Sequence, residues 1–369
     1  VTEMHLCPSD QLRAYVRQVA LAVGADDDIA DELANHLVKA NLSGHDSHGV
    51  LRLPQYVSQA DKGGLVPNAR PTVVREMGGT AVMDAHFGFG QYSTAVALDW
   101  AMERAKTHGI AAVASRHATH IGRLGEYTER ASAAGMIAIV TIGTAAPGSG
   151  GVVPFGGARR FLGTNPWSFG VPADGGTNMV YDAATSTVAE GKLRVARSKN
   201  AALAPGLIVD RDGNPSTNAE DFYNGGALLP VGGDVAGHKG YGLAMASALI
   251  AGLAMVDDDT PVMPVPSAHP ATGFERGALG GVFVIAMDPA AFGDSKEYRR
   301  LTGETLAAVK ETPPAPGKDE VLVPGEPEIR SRAARECDGI PIPDAIWQDL
   351  SGVAARFGIA MPDGVSSVA

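Results

Sequence analysis

Only two cysteines, Cys7 and Cys337, occur in the 369 residues. They are too few for a disulfide framework or a cysteine-based zinc site. Aromatic residues are also scarce at 6%, so the interior is expected to rest on Ala, Val and Leu. Positive charge is in deficit: 30 Lys and Arg against 41 Asp and Glu leave a formal charge of −11, which argues against a nucleic-acid partner. No apolar run approaches the ~20 residues needed to span a bilayer, and no charged-then-apolar leader opens the chain. The expectation is a cytoplasmic protein with no membrane partner.

Two phosphate-binding patterns are missing as well. Gly191-Lys192 has Ser186 where a P-loop needs its first glycine. Gly88-Phe89-Gly90-Gln91-Tyr92-Ser93 approaches the G-x-G-x-x-G/A fingerprint, but ends on Ser. The following strand closes on Ser115 rather than on an acid for a ribose. An orthodox Rossmann or P-loop site is thereby disfavoured.

What is present is glycine, 46 residues, in an ordinary globular balance of 45% apolar and 19% charged. Leu12, Tyr15, Val16, Val19 and Val23 recur at helical spacing, with Ser9 as the expected N-cap and Gly24 as the stop. Ile29, Leu33, Leu37 and Ala40 mark a second helix opened by Asp26 to Asp28 and ended by Gly44. A third is expected near His48, placing His48 and Arg52 on one face, with Pro54 tolerated in its first turn. From residue 81 strands and helices alternate: strands at 81–84, 110–114 and 136–142, helices at 94–107 and 124–134. Further strands are expected at 179–181, 207–209 and 279–287, and a buried helix at 243–255. The rhythm predicts an α/β fold with a largely buried sheet. A last helix at 346–356 is expected to pack on the first ones.

Gly44-His45-Asp46-Ser47-His48-Gly49-Val50-Leu51-Arg52 packs imidazoles, a hydroxyl, a carboxylate and a guanidinium into one stretch. Histidine moves protons near neutral pH and arginine grips carboxylates, so the combination suits a small acid. His45/His48 and His117/His120 form two H-x-x-H pairs, whose residue types leave metal, acid/base and structural roles open. Asp182 closes a strand, where a carboxylate can orient an imidazole or cap a turn. His238-Lys239-Gly240-Tyr241-Gly242 is expected to open the apolar helix, a place that suits a phosphate or merely close packing.

Together these segments resemble the type-2 malate/L-lactate dehydrogenase family, which includes sulfolactate and ureidoglycolate dehydrogenases. The resemblance runs through Asn41 to Gly49, Leu162-Gly163-Thr164-Asn165-Pro166, Asp182-Ala183-Ala184-Thr185-Ser186, His238 to Gly242 and Pro324-Gly325-Glu326. Around 40–56, 120–123 and 192–196 it is strongest to the hydroxycarboxylate dehydrogenase B branch. The family implies a non-Rossmann, malate/L-lactate dehydrogenase-like α/β fold, a mixed sheet flanked by helices with a helical N- and C-terminal region. It implies residues 1–80 plus 290–369 as a substrate and dimerisation region and 81–289 as a cofactor region.

The activity it implies is oxidation of a small 2-hydroxy acid with NAD or NADP, by a homodimer or higher homo-oligomer sharing its active site and needing no metal. His48 matches the acid/base, Asp182 its orienting partner and Arg52 the carboxylate grip, beside Ser47 and Tyr56 in the substrate pocket. His120 matches a histidine given the proton-transfer role in some members, so the choice between His48 and His120 stays open. Thr144, Thr164, Asn165, Asp182, Ala184, Thr185, Ser186, His238, Lys239, Gly325, Glu326 and Pro327 match cofactor positions. His117 stands where many relatives carry asparagine. The rivals are a metal-dependent hydrolase using both H-x-x-H pairs, a cyclic imino acid reductase, and a binding protein without chemistry.

Overall fold

The computed structural model describes residues 4–198, 200–256 and 279–368. The chain runs through β1 (Met4–Cys7), α1 (Ser9–Ala22), α2 (Asp27–Leu42), α3 (Leu53–Asp61), β2 (Thr72–Met77), β3 (Thr80–Asp84), α4 (Gly90–His108) and β4 (Ile110–Arg116). Then come α5 (Gly125–Ala133), β5 (Ile137–Ala145), β6 (Trp167–Val171), β7 (Met179–Ala183), α6 (Glu190–Ser198), β8 (Ile208–Val209), β9 (Pro215–Ser216), α7 (Ala219–Tyr223) and β10 (Ala227–Leu228). Last are α8 (Gly233–Ala251), β11 (Leu279–Met287), α9 (Ser295–Lys310), α10 (Glu326–Asp338), β12 (Ile340–Pro343), α11 (Asp344–Phe357) and β13 (Ser366–Val368).

The apolar spacing of α1 and α2 has the consequence periodicity dictates: Leu12, Val16, Val19, Ile29, Leu33 and Leu37 are fully buried together. The last long helix joins the same core, as expected. Leu350 of α11 is buried there, and Tyr15 Oη donates to the Leu350 carbonyl at 2.6 Å. Strand β1 lies between β12 and β13, antiparallel to both, and ties this helical region together. Truncating one of its central leucines to alanine should cost ~2–5 kcal/mol.

The main sheet has seven strands in the order β2-β3-β4-β11-β5-β6-β7. Within it only β3 and β4 pair in parallel, so the sheet is mixed, as the fold class anticipates. Side-chain parity separates its faces. Ala138 and Val140 of β5 enter the core with Leu98 and Ala101 of α4. Thr141 faces the other way and shares a hydrogen bond of 2.6 Å with Ser247 of α8. A Cβ at Gly143 would meet the Ala248 nitrogen at 2.5 Å, so glycine lets α8 lie directly on the strand. Among the described residues no helix is long and apolar enough to cross a membrane.

Three local expectations differ. Pro8, not Ser9, stands at the N-cap of α1, and no side chain caps it. The third helix starts at Leu53 rather than near His48, because Gly49 breaks residues 46–52 into two short 3-10 turns. Pro54 does fall in its first turn. Helix α8 begins earlier, at Gly233, and kinks at Ala236, so His238 to Gly242 open the apolar segment after the kink rather than the helix as a whole.

Candidate active site

The parallel pair β3 and β4 delivers two loops from its carboxyl ends, the usual place for a ligand crevice in an open sheet. The first leads into Gly88-Phe89-Gly90. A Cβ at Gly90 would lie 2.5 Å from the His120 carbonyl oxygen, and Thr119 Oγ1 accepts from Gly90 N at 3.0 Å. The near-fingerprint glycine therefore makes room for the second loop, residues 117–124, and not for a pyrophosphate.

That second loop carries His120. Its Nδ1 lies 2.7 Å from Tyr56 Oη and receives the Gly122 N–H at 3.3 Å. Gln91 Nε2, at the start of α4, donates to the same Tyr56 oxygen at 2.7 Å. Tyr56 is 1% exposed and both of these bonds go to protein groups. Gln91 was not singled out from sequence, though a polar residue on the buried stripe of α4 with Ala95 and Leu98 is a signal of this kind.

His48 ends the first 3-10 turn, and its ring stacks on His120 with centroids 5.5 Å apart and planes 13° from parallel. Ser47 Oγ lies 3.0 Å from His48 Nδ1. Burial, then the charges of Arg52, His45 and Arg123, push the His48 pKa down to about 3, so the ring is neutral at physiological pH. The turn itself is anchored from behind. Asp46 receives Asn41 Nδ2 at 2.7 Å and Arg335 at 2.7 Å, and Val50 N donates to Asn41 Oδ1 at 2.8 Å.

Arg52 is half-buried, with Nε on the Ser47 carbonyl at 2.7 Å and Nη1 on Gln55 Oε1 at 3.0 Å. It forms no ion pair with a carboxylate among the described residues. Burial lowers its pKa, and of the charges on α6 Arg194 opposes its ionised form while Glu190 favours it. Such a guanidinium lacks a close counter-charge, and a bound anion supplies one.

Asp182, at the end of β7, sits on the other side of the 117–124 loop. Its Oδ2 accepts from Gly125 N at 2.6 Å and stands 3.9 Å from Arg123 Nε. No hydrogen bond joins it to His48 among the described residues. Burial raises its pKa while Arg123 and the Gly125 N–H oppose that rise. Arg123 itself is 2% exposed and bonds Glu129 Oε1 at 2.9 Å. Arg332 of α10 reaches the same Glu129 oxygen at 3.0 Å.

The H-x-x-H pairs do not converge. His45 Nε2 is 3.0 Å from Glu328, and His117 Nδ1 is 3.0 Å from both oxygens of Asp84 with its ring stacked on Phe87. Among the described residues no group of three metal-ligating side chains forms.

The residues matched to cofactor positions gather beyond Asp182. Thr185 N and Oγ1 bond the Thr164 carbonyl at 2.9 Å, and Val231 N donates to the Thr185 carbonyl at 2.7 Å. Ala184 and Thr185, with Trp167, Phe169, Tyr181, Val231 and Leu243, line a cavity of about 300 Å³. Thr144 N donates to Asn165 Oδ1 at 3.0 Å, and Asn165 Nδ2 donates to the Ala244 carbonyl at 2.8 Å. Ser186 Oγ bonds the Val188 carbonyl at 2.9 Å, and Glu326 pairs with Lys310 and Arg330. The side chains of Asn165, Ser186 and Glu326 are thus engaged internally. His238 and Lys239 are exposed, and the Gly325-Glu326-Pro327 turn packs against β7, where Val180 N donates to the Pro324 carbonyl at 3.0 Å.

Comparison with known proteins identifies the family. The sequence profile of the malate/L-lactate dehydrogenase family matches residues 7–351. The chain is 35% identical to an L-lactate dehydrogenase of Cupriavidus necator, over 95% of this chain and 97% of that one. It is 32% identical to hydroxycarboxylate dehydrogenase B of Escherichia coli K12, over 96% of this chain and 95% of that one. The structure of sulfolactate dehydrogenase from Methanocaldococcus jannaschii superimposes with a TM-score of 0.83 at 31% identity, covering 97% of this chain and 99% of that one.

Proposed function

The chain belongs to the malate/L-lactate dehydrogenase family, and from that premise we propose a mechanism in which Arg52 holds the substrate carboxylate and His48 carries the hydroxyl proton. The reaction class is the interconversion of a 2-hydroxy acid and its 2-oxo acid, the class of the relatives named lactate, malate and hydroxycarboxylate dehydrogenases. Enzymes of the family are nicotinamide-dependent in general.

One observation carries the proposal: a half-buried arginine with no counter-ion among the described residues lies beside a neutral, stacked histidine. A carboxylate on the guanidinium gains charge-assisted hydrogen bonds and relieves its desolvation. The neutral imidazole can then take a proton from the adjacent hydroxyl. A nicotinamide held beside this pair would supply the hydride acceptor for oxidation and the hydride donor for reduction. In the reverse reaction His48 must first be protonated, and the carboxylate on Arg52 favours this by offsetting the positive charge beside the ring. Asp182 adds negative charge on the far side of the loop, through Arg123 and Gly125.

The residues present suit a dinucleotide. Lys239 is exposed and forms no ion pair among the described residues, which leaves its charge for a pyrophosphate. The apolar cavity at Ala184 and Thr185 offers aromatic neighbours to a flat ring. We assign Thr144, Thr164, Ala184, Thr185, His238 and Lys239 to direct contact. Asn165, Ser186 and Glu326 shape the backbone around them. We also infer a homodimer. The exposed apolar side chains Val235, Leu243 and Leu249 along α8, with Leu253 in the turn just after it, support it, and light scattering of Leu249→Glu tests it.

A panel of malate-, lactate-, phenyllactate- and 2-hydroxyglutarate-type 2-oxo acids and a cyclic imino acid, each with NADH and with NADPH, tests the assignment. Consumption of one reduced cofactor with a 2-oxo acid is the expected outcome. Binding of cofactor with no oxidation across the panel would refute it.

A further inference from the structure

Two histidines face the substrate region, and the hydrogen bonds behind them assign them different work. Tyr56 Oη has one proton and two neighbours. It accepts from Gln91 Nε2 at 2.7 Å, so its own proton goes to His120 Nδ1, also at 2.7 Å. Gly122 N donates to the same Nδ1 at 3.3 Å, and a backbone N–H cannot be turned around. A proton on Nδ1 would face the Gly122 N–H, which has no way to reverse its direction. In a neutral imidazole with Nδ1 accepting, the proton resides on Nε2.

His48 has a different neighbour. Ser47 Oγ, 3.0 Å from its Nδ1, is a hydroxyl that can accept as readily as it donates. His48 is therefore free to carry its proton on Nδ1 and present a lone pair at Nε2. The rings are nearly parallel, 13° apart, so they can approach one substrate as a pair.

We propose that His120 is held as an Nε2–H donor by Tyr56 and Gly122, with Gln91 as the positioning residue behind them, and that it hydrogen-bonds the substrate's reacting oxygen. The inference rests on the 2-hydroxy acid reading of the site. In oxidation the hydroxyl proton goes to His48 Nε2 and the hydride to the nicotinamide, while His120 neither gains nor loses a proton. In reduction its N–H polarises the oxo oxygen as negative charge develops there. That is where a preorganised donor is most effective.

Nitrogen-15 NMR of protein labelled at histidine reads the tautomer directly, with His120→Gln and His48→Gln assigning the two resonance sets. The expected result is a neutral His120 with its proton on Nε2. In Gln91→Glu, whose carboxylate accepts from Tyr56, the proton should move to Nδ1 or the ring should become doubly protonated. Kinetically, His120→Gln keeps a donor and should hold kcat within ~10-fold, whereas His120→Ala should lose ~10²–10³-fold in kcat with little change in KM. His48→Gln, which removes the base, should lose ~10³-fold or more. A wild-type His120 bearing its proton on Nδ1, or a His120→Gln loss equal to that of His48→Gln, would overturn the assignment. The Nε2–H tautomer found in a protein that reduces no 2-oxo acid would instead overturn the functional reading and leave the tautomer standing.

Discussion

Acid should loosen the catalytic loop through one buried histidine that never meets the substrate. His36 on α2 is 1% exposed, and its Nε2 accepts from Arg123 N at 2.9 Å. Its Nδ1, which must then carry the proton, has no hydrogen-bond partner among the described residues. Burial, reinforced by the charges of Arg123, His48 and Lys39, pushes its pKa down to about 3. The folded state thus keeps this ring neutral, while the unfolded chain protonates it near pH 6.5. Stability from this group is complete above about pH 6.5 and declines as pH falls, by about 1.4 kcal/mol per unit, until the folded pKa is reached. From pH 7 to pH 5 the loss is about 2 kcal/mol, a large share of the ~5–15 kcal/mol that holds a domain together. Protonated Nε2 would also oppose the Arg123 N–H, in the loop that carries His120 and Gly122. His36→Gln keeps an acceptor without a titration. Urea unfolding of both proteins at pH 7, 6 and 5 should show the wild type losing about 2 kcal/mol more than the variant across that range. Parallel stability curves for the two proteins would refute the reasoning, since every other titrating group is shared.

Other outcomes follow from the site. His48→Ala should abolish turnover by ~10³-fold or more, and the acid limb of wild-type kcat/KM for oxidation should lie well below pH 6.5, because the free-enzyme ring stays neutral. Arg52→Ala should raise KM for the acid by ~10–100-fold with a smaller change in kcat, measured by steady-state kinetics, since it removes a charged hydrogen-bonding partner. Gly90→Ala must push aside the backbone carbonyls of Thr119 and His120, so kcat should fall ~10-fold or more with a stability loss of ~1–3 kcal/mol by thermal unfolding.

Long periodic elements were legible in the sequence because burial of one face leaves a regular trace. Strand 279–287 coincides with β11, and the 346–356 helix lies within α11. The edge strand β2 left little trace, since all six of its residues are exposed and no face needs an apolar pattern. The site divides in the same way. His48, Arg52 and His120 announce themselves by chemistry and motif. Gln91, Gly122 and Arg123 do not, because each acts by where its N–H groups point, which depends on two loops meeting across the sheet. His117 shows the converse: it stands out in an H-x-x-H pair, yet its imidazole is occupied by Asp84 in the structure.

The small sheet built on β1 has a kinetic corollary. Its strands meet only when distant stretches of chain find each other, as do Tyr15 and Leu350, 335 residues apart. Contacts of such long range are closed late, after local helices and hairpins have formed. The turn bearing His48 and Arg52 hangs from the helical core that this closure completes, so refolding should recover sheet structure before it recovers catalysis. Competence would then arrive in a slow final phase, when the first and last strands of the described chain are stitched together.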